Sequence, residues 1–253
     1  MSVARTRAAV VVGVEGVLVE VEADVSAGLV GMTIVGLPDK AVAESRDRAR
    51  TAVVNSGLEW PARRITIALL PTDVHKRGSG LDLAVAIAVL AATEQVPAPA
   101  AHSCVVMGEL GLDGRVRPVR GVISAAIAAY RAGVVRMVVP RGNAAEAGLL
   151  HGLQVIPVDS LAHLVRVLRD EVEPDSLPQG LPPTSTVAPP DLSDVRGQQQ
   201  ARWALEVAAA GGHHLAMVGP PGVGETLLAE RLRCEYLMLN AGLHVITDRP
   251  LGT

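Results

Sequence analysis

Apolar positions in the first seventy residues fall in short runs of Val, Ile and Leu separated by Gly, a punctuation that predicts strands before helices. Residues 8–13, 17–24 and 32–35 read as three strands, with Gly13, Gly16, Gly28 and Gly31 at the turns. Val17-Leu18-Val19-Glu20-Val21-Glu22 partly alternates, as an antiparallel strand with one face in the core should. At Pro38 the pattern lengthens to a helical one, predicting a helix to about Ser56 with Gly57 as its C-terminal cap. Residues 64–70 form a further strand and 82–92 an apolar helix.

A second run of alternating elements follows. Residues 105–110 and 136–140 are short apolar strands around a helix over 119–132; 143–150 is a short helix, 154–157 a strand, and 160–169 a helix capped by Ser160. Residues 1–170 therefore read as one compact domain of mixed α/β (α+β) class. From 171 to 190 acidic residues give way to Pro178, Pro182, Pro183, Pro189 and Pro190 among Ser and Thr, the composition of an extended linker. A new unit opens at Asp191: a helix over 198–209, a strand over 214–218, a Gly-rich loop and another helix.

Composition changes the picture in three respects. Hydrophobic residues make up 49% of 253 and Phe is absent, so the core must be filled by Ala, Val and Leu. A net charge of −3 gives no global field for nucleic acid or an anionic membrane. The local exception is Arg46, Arg48, Arg50, Arg63, Arg64, Lys76 and Arg77, interleaved with acidic residues and read first as a solvated surface, with a DNA-binding patch as the sharper alternative. Cys104 and Cys234 are isolated and suggest neither a disulfide framework nor a metal site. The N-terminus lacks the apolar core of a signal peptide, and no apolar stretch reaches the roughly 18 residues needed to span a bilayer. A cytoplasmic protein is expected.

The richest motif lies in the second unit. Gly219-Pro220-Pro221-Gly222-Val223-Gly224-Glu225-Thr226 has the form of a phosphate loop at every position but one, between a predicted strand and a predicted helix. Its glycines let backbone N–H groups turn toward phosphate oxygens at a helix N-terminus, and Thr226 carries the hydroxyl that reaches Mg²⁺. The lysine that contacts the β- and γ-phosphates is replaced by Glu225. A carboxylate there repels what a cation would hold, so the loop is expected to be degenerate for nucleotide.

Three runs of sequence carry a family resemblance. Asp191-Leu192-Ser193-Asp194-Val195-Arg196-Gly197-Gln198, with Ala204-Leu205-Glu206-Val207-Ala208-Ala209-Ala210-Gly211-Gly212-His213, is one. Val35-Gly36-Leu37-Pro38-Asp39 with Glu44-Ser45-Arg46-Asp47-Arg48 is the second, and Lys76-Arg77-Gly78-Ser79-Gly80-Leu81-Asp82-Leu83 the third. Together they resemble the ComM/YifB family, magnesium-chelatase-like AAA+ proteins, over about residues 8–232. The resemblance implies a Lon-protease-like first domain of the ribosomal-protein-S5-domain-2-like fold, joined to the opening of an AAA+ ATPase module. It further implies ATP and Mg²⁺ as cofactors, assembly as a homo-oligomer (a hexamer in the family), and DNA as partner, through branch migration in natural transformation. Residues 233–253 do not resemble the family's continuation, so a C-terminally truncated member without ATPase activity of its own is expected.

The Lon resemblance allows a residue-level comparison. Aligned without gaps, the nucleophile position of Lon-type proteases falls on Gly80 and the lysine position on Ile123, within Arg120-Gly121-Val122-Ile123, while Gly108-Glu109-Leu110 and Gly114-Arg115-Val116-Arg117-Pro118-Val119 fit the intervening pattern. Both catalytic groups are replaced, so proteolysis is not expected. Two alternatives remain open: a Lon-like domain serving as an interaction or oligomerisation module, and a serine hydrolase using Ser79 with Lys76 or His75. His213 and His214, adjacent on a predicted strand, point to opposite faces and are read as structural. Asp39, Glu44 and Asp47 are read as exposed partners of Arg46, Arg48 and Arg50, and Asp82 as a cap of the helix it opens.

Overall fold

A computed structural model describes residues 2–76, 78–176, 191–211, 215–220, 224 and 227–228, in two compact units, Met1–Pro182 and Pro183–Thr253. In the first, β1 (Ser2–Val12) and β2 (Glu15–Ser26) form a long antiparallel hairpin, Val12 opposite Glu15 and Ser2 opposite Val25. β3 (Gly31–Val35) lies parallel to β4 (Arg64–Leu70), which runs antiparallel to β2. Beyond β1 come β5 (Val105–Val106), β8 (Arg136–Pro140) and β9 (Gln154–Val158), all parallel. The resulting seven-stranded sheet has the order β3-β4-β2-β1-β5-β8-β9, with β6 (Glu109–Leu110) and β7 (Val116–Arg117) as a separate small hairpin. The mixed α/β class read from the pattern is the class observed.

The two faces of the sheet are filled differently. One packs Val19, Val21 and Ala23 of β2 and Ile65, Ile67 and Leu69 of β4 against α1 (Lys40–Asn55) and α2 (Asp82–Ala92). Every residue of α2 is buried, which is why its sequence is apolar all round rather than striped. The other face carries α4 (Val122–Arg131) and α5 (Ala144–Ala147) over Ala9, Val105, Met137 and Val139. Alanines 125, 126 and 129 let α4 lie close to the strands. At Gly16 the approach is closest, since a Cβ built there would sit 2.2 Å from the Ser124 carbonyl oxygen. Gly16→Ala must push α4 away, and should lower the unfolding free energy by about 1–3 kcal/mol in chemical denaturation. An unchanged midpoint would show that the contact is relieved without cost.

Several boundaries differ from the pattern, each for a physical reason. The run 105–110 is not one strand: Met107 donates its N–H to Val138 O and Gly108 donates to Gly80 O, so the chain leaves the sheet between β5 and β6. The helix expected over 119–132 starts at Val122, because Gly121 is left-handed (φ 78°) and Val119 is held by the Asn143 side chain through its N–H and its carbonyl. α1 begins at Lys40 under an Asp39 cap, while Pro38 pairs with Lys76 in a parallel bridge. The short helix over 143–150 shrinks to a 3₁₀ turn (Arg141–Asn143) and α5. α3 (Ala98–His102), which begins beside Pro97, was not anticipated. α6 (Leu161–Leu168) is capped by Ser160 as expected, its hydroxyl accepting from His163 N.

In the second unit Asp191 and Asp194 cap each other's turn, and α7 (Gln199–Gly211) follows. Leu192, Val195, Leu205, Ala209 and Leu228 make its small core. The strand expected over 214–218 does not form: residues 215–219 carry no ladder, and no described strand stands beside them to supply one. Among the described residues no helix is long and apolar enough to cross a membrane.

Candidate functional site

The runs Val35–Asp39, Glu44–Arg48 and Lys76–Leu83, far apart in the chain, come together at the N-terminus of α2. Asp39 Oδ1 accepts from Val42 N at 2.8 Å and so caps α1, while its Oδ2 accepts from Gly78 N at 3.0 Å. Asp39 N donates to Lys76 O and Lys76 N to Leu37 O, which closes the loop onto the first run. Gly78 has φ 84°, a left-handed conformation that favours glycine. The third run is thereby held in a fixed turn.

Arg48 and Asp82 form the second tie. The guanidinium donates from Nε to Asp82 Oδ2 at 2.7 Å and from Nη2 to Oδ1 at 2.9 Å, and Nη2 also donates to Ala41 O. Leu110 N donates to the same carboxylate at 3.2 Å, so Asp82 joins α1, α2 and β6. Asp82 is fully buried. Burial raises its pKa and the bond to Arg48 opposes the rise, while that bond raises the pKa of Arg48. Asp82 is thus not the helix cap anticipated from its position, and Arg48 is not a surface charge. It is a buried bidentate pair.

The positions aligned with a Lon dyad are near one another but apolar or engaged. A side chain added at Gly80 would meet Val119 Cγ1 at 3.9 Å and Met107 Cε at 4.0 Å, in the segment that leads into α4. Ile123 lies in the first turn of α4, its N–H donating to Glu146 Oε1 at 3.1 Å. Ser79 donates its hydroxyl to the Glu109 carboxylate. Lys76 is fully buried with its ammonium donating to Pro71 O; burial lowers its pKa and Asp73 raises it. No hydrogen bond joins Ser79 to Lys76 or His75 among those described, so the loop does not assemble the base that a serine nucleophile needs. Glu109 was legible as part of a Lon-like pattern, yet its partnership with Ser79 spans thirty positions and had no local signal.

The basic group proposed from sequence is dispersed. Arg46 pairs with Asp47, Arg48 with Asp82, and Lys76 is buried; Arg77 lies outside the described residues. Of the carboxylates read beside it, Glu44 does lie within 4.0 Å of Arg48 and Lys40, while Asp39 is a cap. Burial pushes the Cys104 thiol up to about 11 against the pull of Arg136, which keeps it protonated. Cys234, His213 and His214 lie outside the described residues. A group not anticipated is Asp159, His163 and Asp175, whose ligand atoms lie within 4.8 Å of one another. Arg141 pairs with both carboxylates and neutralises the site a cation would need.

Of the phosphate loop, Gly219, Pro220 and Gly224 are described, and Pro221, Gly222, Val223, Glu225 and Thr226 are not. Gly224 has φ 95°, its carbonyl accepts from Leu228 N at 3.0 Å, and a Cβ there would lie 3.8 Å from Gln198 Nε2. The loop and the Asp191–Gln198 run are therefore neighbours.

Comparison with known proteins covers the same regions. Residues 21–143 match the family model "Subunit ChlI of Mg-chelatase", and residues 191–240 match "Magnesium chelatase, subunit ChlI". The chain is 43% identical over 232 residues to an uncharacterized protein YifB of Escherichia coli, covering 92% of this chain and 45% of that protein. It is 38% identical over 236 residues to the competence protein ComM of Haemophilus influenzae, covering 92% and 46%. A Lon protease of Rhizobium meliloti is 26% identical over 187 residues, 67% of this chain and 23% of the protease. The chain spans about half the length of the YifB and ComM relatives it matches.

Proposed function

The chain belongs to the ComM/YifB family of magnesium-chelatase-like proteins, and from that membership we propose a Lon-like domain without proteolytic chemistry joined to the start of an ATPase module with an impaired phosphate loop. In domain terms the proposal is residues 1–170 as the Lon-like domain, 171–190 as linker, 191–232 as the opening of the ATPase module, and 233–253 as a tail outside the family pattern. The family's ATP and Mg²⁺ would meet the loop Gly219 to Thr226, with Thr226 as the Mg²⁺-facing hydroxyl. A cytoplasmic protein that acts on DNA as a homo-oligomer completes the reading, supported by the competence protein among its relatives.

The observation that carries the impairment is Glu225, a carboxylate where the donor set for a triphosphate requires a cation. These residues do not fit the nucleotide, and no hydrolytic step is derived through it. The first domain supplies binding surfaces instead of catalysis, as Gly80, Ile123 and the engaged Ser79 and Lys76 suggest. Isothermal titration of the chain with MgATP should give no saturable binding in the micromolar range, and phosphate release should stay at the buffer rate. Micromolar binding with turnover would overturn the proposal.

A further inference from the structure

The two edges of the seven-stranded sheet are finished in opposite ways. At β9 the edge carries Pro157, and the β6–β7 hairpin closes over its end: Val116 donates to Asp159 O, Leu161 donates to Gly114 O, and Arg115 bridges Ser160. These are devices that prevent strand addition. β3, at the other edge, has none of them. From Gly28 to Leu37 the chain reads Gly-Leu-Val-Gly-Met-Thr-Ile-Val-Gly-Leu, without a charge or a proline. Among the described residues β3 pairs only with β4, leaving one row of backbone donors and acceptors open. Leu29 is 93% exposed, Val30 65% and Val35 45%. An uncharged, β-prone edge of this kind invites a further strand.

We infer that the β3 edge docks a second copy of this chain by antiparallel strand pairing about Thr33. The register argues for self-pairing over pairing with a foreign strand. With Thr33 opposite the other copy's Thr33, Met32 faces Ile34 and Gly31 faces Val35, while Val30 meets Gly36 and Leu29 meets Leu37 at the ends. Each exposed branched residue falls opposite a glycine, and each large residue opposite a large one. Paired threonines on the exposed face are a favourable cross-strand pair, and no like charges oppose one another. Two copies joined in this way extend one sheet across a two-fold axis and close both open edges together. The pairing involves neither the Gly219 loop nor the Asp191–Gln198 run, so it stands independently of the nucleotide reading and forms without nucleotide.

Sedimentation velocity of the full chain without nucleotide tests the pairing. The expected result is the mass of two 26.2 kDa chains, dissociating on dilution. Thr33 is exposed, so Thr33→Lys keeps the circular dichroism spectrum and puts like charges face to face; it should sediment as a single chain at concentrations where the wild type is paired. Mixing Thr33→Lys with Thr33→Glu should restore the double mass, which a misfolded variant could not do. A wild-type chain that stays single, a dimer indifferent to Thr33→Lys, or a mixture that does not recombine would each refute the pairing.

Discussion

Replacing Arg48 by Ala should lower the unfolding free energy by about 3–5 kcal/mol, because it strands a buried carboxylate. Asp82 is fully buried and receives three hydrogen bonds, from Arg48 Nε, Arg48 Nη2 and Leu110 N. Without the guanidinium only the Leu110 N–H remains to balance the desolvation. The loss should depend on pH with a definite sign. Burial already raises the Asp82 pKa, and removal of Arg48 raises it further. The folded variant therefore holds a proton that the unfolded chain releases at about pH 4. Its stability is greatest below that pH and falls as pH rises through the elevated folded-state value. Urea denaturation of wild type and Arg48→Ala between acid and neutral pH measures the difference. A variant equally stable at neutral pH would show that the pair contributes nothing. Asp82→Ala should also destabilise, leaving Leu110 N without its acceptor, and the double variant should lose less than the sum of the singles.

Glu225→Lys should tighten MgATP binding by about a hundredfold, roughly 2.7 kcal/mol. A unit charge pair at about 4 Å interacts by about 4 kcal/mol at an effective dielectric near 20. The substitution removes a repulsion and adds an attraction of that order, and solvent screening reduces the gain. Glu225→Gln separates the two contributions, since it deletes the repulsion alone and should recover about half of the change in free energy. Isothermal titration across the three chains reads the series directly. Equal affinities for Glu225, Gln and Lys would place the phosphates away from residue 225 and remove the basis for the impaired loop.

Each of these expectations rests on a different level of the chain. The strands of the hairpin, α1, β4, α2 and α6 were legible from periodicity, because a strand or helix that buries a face must repeat its apolar positions at the period of its own geometry. The ends of those elements were harder to read. Val119 looks helical in sequence and is held instead by Asn143, and the run 105–110 looks continuous although Gly108 N turns away to Gly80 O. Segment 215–219 is apolar enough for a strand, but a strand also needs a neighbour's backbone groups, and no described strand offers them.

The sequence alone determined the family, the α/β class, the Glu225 substitution in the phosphate loop and the absence of Ser and Lys at Gly80 and Ile123, because identities at matched positions are properties of the chain itself. Only the tertiary structure decided that Asp82 pairs with Arg48, that Ser79 binds Glu109, that Lys76 is buried, and that β3 is left with an open edge while β9 is closed. These partners lie tens of positions apart, and no local period encodes which side chains the packing of sheet and helices will bring together.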